Sequence, residues 1–183
     1  MTNNTVVRRV HQLGETEIQG LTNVLIDCVE GGASVSFMYP MTREKAEMFW
    51  RGVAPAVARG ERILLLAEGT ANRIVGTVQV VLNLPENQPH RGDVVKMLVH
   101  RRARNQGVGA ALLAAAEQHA RDEGKYLLVL DTITGHAGER LYARHGWQRA
   151  GEIPNFALWP DGRPCPTTYY YKQLAEMPAV YGA

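Results

Sequence analysis

Apolar positions along the chain switch between a period of two and a period near 3.6, and these switches outline the elements. Thr5 to Val10 is short and β-branched and predicts a first strand. Thr16-Glu-Ile-Gln19 then has the form of a capping box, and Ile18, Leu21, Leu25 and Val29 recur at helical spacing, which predicts a helix over about Thr16 to Glu30 with its stripe in the core. Thr42 caps a second helical stretch reaching about Arg59, where Gly52 and Pro55 predict a kink or a break. Ile63 to Glu68 and Ile74 to Leu84 read as a hairpin across Gly69-Thr-Ala-Asn-Arg73. The polar loop Pro85 to Gly92 would return the chain antiparallel as a strand from Asp93 to His100. Ala110 to Glu123 is a strong helix former closed by Gly124. Tyr126-Leu-Leu-Val-Leu-Asp131 is an apolar strand of the kind covered on both faces. Ala137 to Trp147 gives a short helix, a glycine stop and the start of another strand. Trp159 to Pro166 is a turn-rich loop, Thr167 to Leu174 a last strand, and Ala175 to Ala183 a frayed tail.

Between the Asp93 strand and the Ala110 helix lies Arg101-Arg-Ala-Arg-Asn-Gln-Gly-Val-Gly109. Glycines at a helix start let backbone approach a ligand, and the free N–H groups of the first turn with the helix dipole favour an anion. The segment therefore reads as an anion cradle, of a size to take a pyrophosphate. A plain strand-to-helix turn with a solvated basic edge would look similar. The loop Gly31 to Pro40, with Phe37 and Tyr39, reads either as lining a site or as a connector tucked onto the sheet.

Composition narrows the function classes. At 183 residues and 45% hydrophobic the chain suits one domain, 1–183, with a sizeable core. A net charge of +2 demands neither nucleic acid nor an anionic membrane surface. No run approaches the roughly 20 apolar residues of a membrane span, and the N-terminus lacks an apolar signal core, so a soluble cytoplasmic protein is expected. Cys28 and Cys165 have no metal-ligand spacing and none of the six histidines pairs as His-x-x-x-His, so two reduced thiols and no metal site are expected.

Arg104-Asn-Gln-Gly-Val-Gly109 fits Arg/Gln-x-x-Gly-x-Gly/Ala, five residues after Val99 closes Met97-Leu-Val99. It lacks the Gly-x-Gly-x-x-Gly of dinucleotide folds and the Gly-Lys-Ser/Thr end of a P-loop. With a strand before it and an alanine-rich helix after it, the segment resembles the acetyl-CoA signature of the GNAT superfamily of N-acetyltransferases. The resemblance implies a single α/β (α+β) domain. Its sheet would be mixed and mostly antiparallel, with helices on both faces, splayed between the Asp93–Val99 and Tyr126–Asp131 strands. It implies acetyl-CoA as co-substrate, with the pyrophosphate held at Arg104, Asn105, Gln106, Gly107, Val108, Gly109 and Ala110. Backbone N–H groups of Met97, Leu98 and Val99 would pair with the pantetheine and the thioester carbonyl.

The same resemblance places Tyr142, four residues before Gly146-Trp147, near the thioester sulfur as the acid. The chain departs from the superfamily at Gly135, where an asparagine is common, and Gly138 provides no side chain to touch the cofactor. Gly31-Gly-Ala-Ser-Val35, Leu130-Asp-Thr132, Gly151-Glu-Ile-Pro154, Pro160-Asp-Gly-Arg163 and Pro166-Thr167 also resemble the tabtoxin-resistance-type acetyltransferases, which N-acetylate a β-lactam amino acid toxin. That implies a small-molecule amine as acceptor.

An alkyl amine with a pKa near 10 is only about one part in a thousand neutral at pH 7, so a base is worthwhile. Asp93 opens its strand where related enzymes carry a base, and Asp131 closes the neighbouring strand at the carboxyl end; each also reads as an ordinary strand-end residue. Glu68, Glu86 and Glu152 could select a cationic substrate or simply be solvated. No cysteine is suitably placed for an acyl-enzyme, so direct transfer in a ternary complex is expected. The amine of a protein or peptide stays open as an alternative acceptor, and two rivals from other classes stay open. A non-catalytic acyl-CoA sensor would keep the cradle without a base, and a nucleic-acid binder would use Arg101, Arg102 and Arg104 as a phosphate patch. Oligomeric state stays open between a monomer and a homodimer.

Overall fold

The computed structural model describes residues 5–176. Strand β2 (Arg62–Glu68) is covered on both faces, which explains why Ile63-Leu-Leu-Leu-Ala67 holds no polar residue. Leu64 and Leu66 pack with α1 (Glu15–Glu30) and α2 (Arg43–Ala58) on one face. Ile63 and Leu65 pack with α3 (Val108–Asp122) on the other. Each such side chain taken out of water contributes about 1.5–3 kcal/mol before entropy is counted. The remaining elements are β1 (Val6–Val10), β3 (Ile74–Val81), β4 (Arg91–Val99), β5 (Leu127–Ile133), α4 (Ala137–Arg144), β6 (Gln148–Leu158) and β7 (Pro164–Gln173). The sheet order is β1-β2-β3-β4-β5-β7-β6, antiparallel at every pair except β4–β5. This is the mixed, mostly antiparallel sheet with helices on both faces that the family resemblance implies.

Four local expectations are corrected. Helix α1 begins one residue earlier, behind Gly14 rather than Thr16, and the Glu17 carboxylate accepts the Gly14 N–H at 3.1 Å. Helix α2 is capped by Thr42 as expected but runs unbroken through Gly52 and Pro55. Pro55 and Arg51, one turn back, are both exposed, so water can take the carbonyl freed by the missing N–H, while Ala46, Trp50, Val53 and Val57 hold the buried face. Helix α3 starts at Val108, two residues before the alanine run. Gly151 to Pro154 lies inside β6, an edge strand of eleven residues where proline is tolerated, and β7 begins at Pro164 rather than Thr167. The expected tail falls largely on 177–183, outside the described residues.

Candidate active site

Strands β4 and β5 pair in parallel only through Arg91–Asp93 and Leu127–Val129. Beyond that they separate, and the gap is filled by no other strand. Strand β4 is also bulged: Thr77 and Gln79 of β3 face Leu98 and Val95, so three steps on β4 match two on β3. Lys96 sits in the bulge with φ +53°, a left-handed conformation that non-glycine residues seldom adopt. The extra residue flips the strand. Val94 packs on the α3 side, whereas after the bulge Leu98 packs on the α1/α2 side and Met97 and Val99 turn to α3.

A cavity of about 250 Å³ occupies the gap. Val95, Lys96 and Met97 line it from β4 and Asp131 to Ile133 from β5. Tyr142 closes it on the α3 side, and the loop carrying Ser34 and Ser36 does so on the other. The loop read either as a site wall or as a connector tucked onto the sheet thus borders the cavity through Ser34, Val35 and Ser36, while Ala33, Val35 and Phe37 also pack on the α1/α2 core. The cavity lining draws on both faces of the sheet, with Tyr142 and Val94 on the α3 side and Asp131 and Lys96 on the other.

At the end of β4 the His100 N–H donates to Val75 O at 2.9 Å, which ties it to β3. Strand alternation then turns the N–H groups of Val99 and Met97 towards the gap and that of Leu98 back to β3. Of the three candidate N–H groups, two face the opening. The chain continues through a tight turn, Arg101–Ala103, into Arg104-Asn-Gln-Gly107 and α3. Arg104 folds back so that its Nε donates to Val99 O at 3.0 Å, and Gln106 Nε2 donates to Arg102 O at 2.9 Å. Asn105 (φ +59°) and Gly107 (φ +80°) are both left-handed. Ala111 N–H closes the first helical turn on Gly107 O at 3.0 Å, so the N–H groups of Val108, Gly109 and Ala110 are those a helix start leaves for other acceptors.

The two glycines serve different ends. Gly107 has open space where a Cβ would sit, so it is its dihedral that favours glycine there. At Gly109 a Cβ would meet Leu141 Cδ2 at 3.3 Å, so this glycine lets α4 pack close to α3. Gly138 does the same for α4 against β5, where a Cβ would lie 2.6 Å from Thr132 Oγ1.

Asp131 lies on the cavity wall, exposed, with Thr167 Oγ1 donating to its Oδ2 at 2.8 Å. Tyr142 is buried against Trp147 and Tyr170, and burial, reinforced by the Asp131 charge, pushes its phenol well above the usual tyrosine range. It therefore stays protonated. Asp93 does not line the cavity. It pairs with Arg91 (Nη1 to Oδ1 3.0 Å), and burial raises its carboxyl while Arg91 opposes the rise. Asp93 and Asp131 both act on Tyr169, whose phenol is raised by burial and by the two charges, so the carboxylates share one face of the sheet. Glu68 and Glu152 are taken up by Arg8 and Arg149.

Two cavity residues escaped the sequence reading. Lys96 had no mark because nothing in Val-Val-Lys-Met-Leu announces a bulge. Cys165, given no role in the sequence reading, lines the cavity with its Sγ 3.7 Å from Ser34 Oγ. Both cysteines are free and buried. Among the described residues no cluster of histidine, cysteine and carboxylates could hold a metal, and no helix is long and apolar enough to cross a membrane.

Residues 29–147 match the family model described as acetyltransferase (GNAT) family. An uncharacterized N-acetyltransferase of the hisH-hisA intergenic region of Azospirillum brasilense is 28% identical over 160 residues, 85% of this chain and 93% of that protein. An N-acetyltransferase from Staphylococcus aureus Mu50 superposes with a TM-score of 0.76 at 15% identity, over 94% of this chain and 99% of its own. The protein yncA from Salmonella typhimurium, solved with its cofactor acetyl-CoA, gives 0.76 at 17% identity over 96% of each chain.

Proposed function

We propose that this chain, which belongs to the acetyltransferase (GNAT) family and takes acetyl-CoA as its donor, hands the acetyl group directly to the neutral amine of a small molecule. One observation carries the reading. The gap between β4 and β5 brings Tyr142 from the α3 side and Asp131 from the opposite side into one cavity, with Met97 on its wall and the helix-start cradle following at the end of β4 outside its lining. The residues fit the donor: N–H groups from Asn105 to Ala110 would hold its pyrophosphate, and those of Met97 and Val99 would take the thioester carbonyl. When bound, acetyl-CoA supplies the activated acyl group.

The chain's own residues then have separate tasks. Asp131, open to the cavity, receives the ammonium proton of the acceptor, directly or through water. Met97 and Val99 N–H groups stabilise the oxygen on which charge develops, where one donor is worth about 2.7–4 kcal/mol in other acyl-transfer enzymes. Tyr142 keeps its proton across the physiological range and gives it to the departing thiolate. Asp93, a turn of pleat away and paired with Arg91, acts through water as a second carboxylate behind Asp131.

The acceptor we propose is an amino-acid-like toxin or antibiotic of the β-lactam type. Three of the segments resembling tabtoxin-resistance-type enzymes border the cavity, through Ser34 and Val35, through Asp131 and Thr132, and through Pro166 and Thr167. The cavity volume of about 250 Å³ lies below the roughly 300–1,000 Å³ of sites for drug-sized ligands, which favours a small acceptor.

A thiol-release screen with acetyl-CoA against amino acids, β-lactam dipeptides, aminoglycosides and polyamines tests the reading. Acceptor-dependent release with an acetylated product is expected. Tight acetyl-CoA binding without turnover of any amine would favour a sensor, and a stoichiometric burst of CoA without acceptor, with acetyl on Cys165, would overturn direct transfer.

A further inference from the structure

Lys96 is a cation that the fold holds in place without an anionic partner. Its backbone is left-handed within a strand. Its half-buried side chain reaches the cavity, where Nζ donates to Ser36 Oγ at 2.9 Å and lies 5.8 Å from the centroid of the Phe49 ring. Among the described residues it makes no ion pair. Behind it on the same face Arg62, paired only to the neutral Gln79 side chain, keeps a buried Nε without a hydrogen-bond partner. Buried charges are ordinarily paired, because an unpaired one loses its hydration without compensation. Burial lowers the Lys96 ammonium, with Arg62 adding to the fall and Asp131 opposing it.

We infer that Lys96 determines acceptor specificity: its ammonium binds a carboxylate of the acceptor while Asp131 takes the amine, so the substrate is a zwitterion of the amino-acid class. Strands β4 and β5 stop pairing at Asp93 and Val129, and Lys96 and Asp131 stand three and two residues beyond. They thus face one another across the same level of the gap, one cation and one anion on the walls of a small cavity. Ser36, itself on the cavity wall, accepts from the ammonium, and the Phe49 ring flanks it. A simple alkyl amine would meet Asp131 but leave Lys96 unpaired, and a polyamine would be repelled by it.

The inference rests on the acetyl-transfer reading, and the experiment separates the two. CoA release is measured for free methionine, tyrosine, phenylalanine and a β-lactam dipeptide, each beside its carboxamide, and for polyamines. The zwitterions are expected to react with kcat/KM at least about tenfold above their carboxamides. Lys96→Gln should raise KM for the zwitterions at least about tenfold while leaving carboxamide turnover and the acetyl-CoA KM within about twofold, and Lys96→Arg should restore much of the loss. Carboxamides or polyamines turned over as well as zwitterions would leave acetyl transfer standing and sink the role of Lys96. So would a Lys96→Gln loss that is equal for both classes, since that would place Lys96 in the chemistry or the fold. If no compound turns over, calorimetry of the same pairs with CoA-loaded protein decides. Binding of zwitterions alone, lost in Lys96→Gln, supports the inference, and no such binding overturns it.

Discussion

Replacing Gly107 by valine tests the cradle without touching a charge. Gly107 has φ +80° and no atom within 4 Å of where a Cβ would stand, so the substitution clashes with nothing and acts through the dihedral alone. A residue held left-handed costs about 1–3 kcal/mol, and a β-branched one falls at the upper end. When the site is empty the turn can relieve that strain by leaving the left-handed region, which displaces the N–H groups that follow. Binding of acetyl-CoA must then restore it. The largest loss in affinity equals the strain relieved, between about fivefold and 150-fold in Kd. Calorimetry of acetyl-CoA with Gly107→Val should show a loss of tenfold or more, with the circular dichroism spectrum retained. Gly107→Asn, which tolerates this conformation, should stay near wild type. Gly109→Ala should do little to Kd, since its Cβ meets only the movable end of Leu141. A Gly107→Val protein binding acetyl-CoA within twofold of wild type would refute the assignment.

Tyr142→Phe should lower kcat by about 10²- to 10⁴-fold with the acetyl-CoA Kd unchanged, as expected for loss of a proton donor and not of a binding group. Since the Tyr142 pKa is raised in the fold, its contribution to stability is full below the unfolded tyrosine pKa of about 10 and is lost as pH rises beyond it; Tyr142→Phe should therefore flatten the fall in melting temperature above about pH 10. Asp131→Asn should reduce kcat on the same scale, and Asp93→Asn, outside the cavity, by less; steady-state rates in which Asp93 dominates would exchange their roles. Gly138→Ala places a Cβ 2.6 Å from Thr132 Oγ1 and should cost about 1–3 kcal/mol, read as a fall in melting temperature of roughly 2–4 °C per kcal/mol.

The frame of the site was legible because its parts are local. The strand, glycine turn and helix from Arg91 to Asp122 announce themselves by composition, and Tyr142 follows from its spacing to Gly146-Trp147. What escaped depends on tertiary placement. The bulge at Lys96 is marked by neither glycine nor asparagine, so the flip that turns Met97 and Leu98 to opposite faces has no sequence signature. Pro55 reads as a break until one sees that its turn faces water. Strand β6 is mostly exposed and lacks a clean alternation, since pairing with β7 holds it. Asp93 and Asp131 look equivalent in the sequence, and only the point where β4 and β5 part brings Asp131 to the cavity and leaves Asp93 beside Arg91. Cys165 joins that wall through β7, far along the chain.

The central claim, that donor and acceptor meet through the gap between β4 and β5, is tested most directly by a crystal structure of the protein with CoA. The account predicts the pyrophosphate within about 3 Å of N–H groups from Asn105 to Ala110, and the sulfur in the gap beside the Tyr142 hydroxyl. A larger cavity of about 690 Å³ lies between α1 and the Gly69–Arg73 turn, lined by Arg8, Arg43, Arg73 and Arg102. A pyrophosphate found there, with the gap empty, would contradict the account.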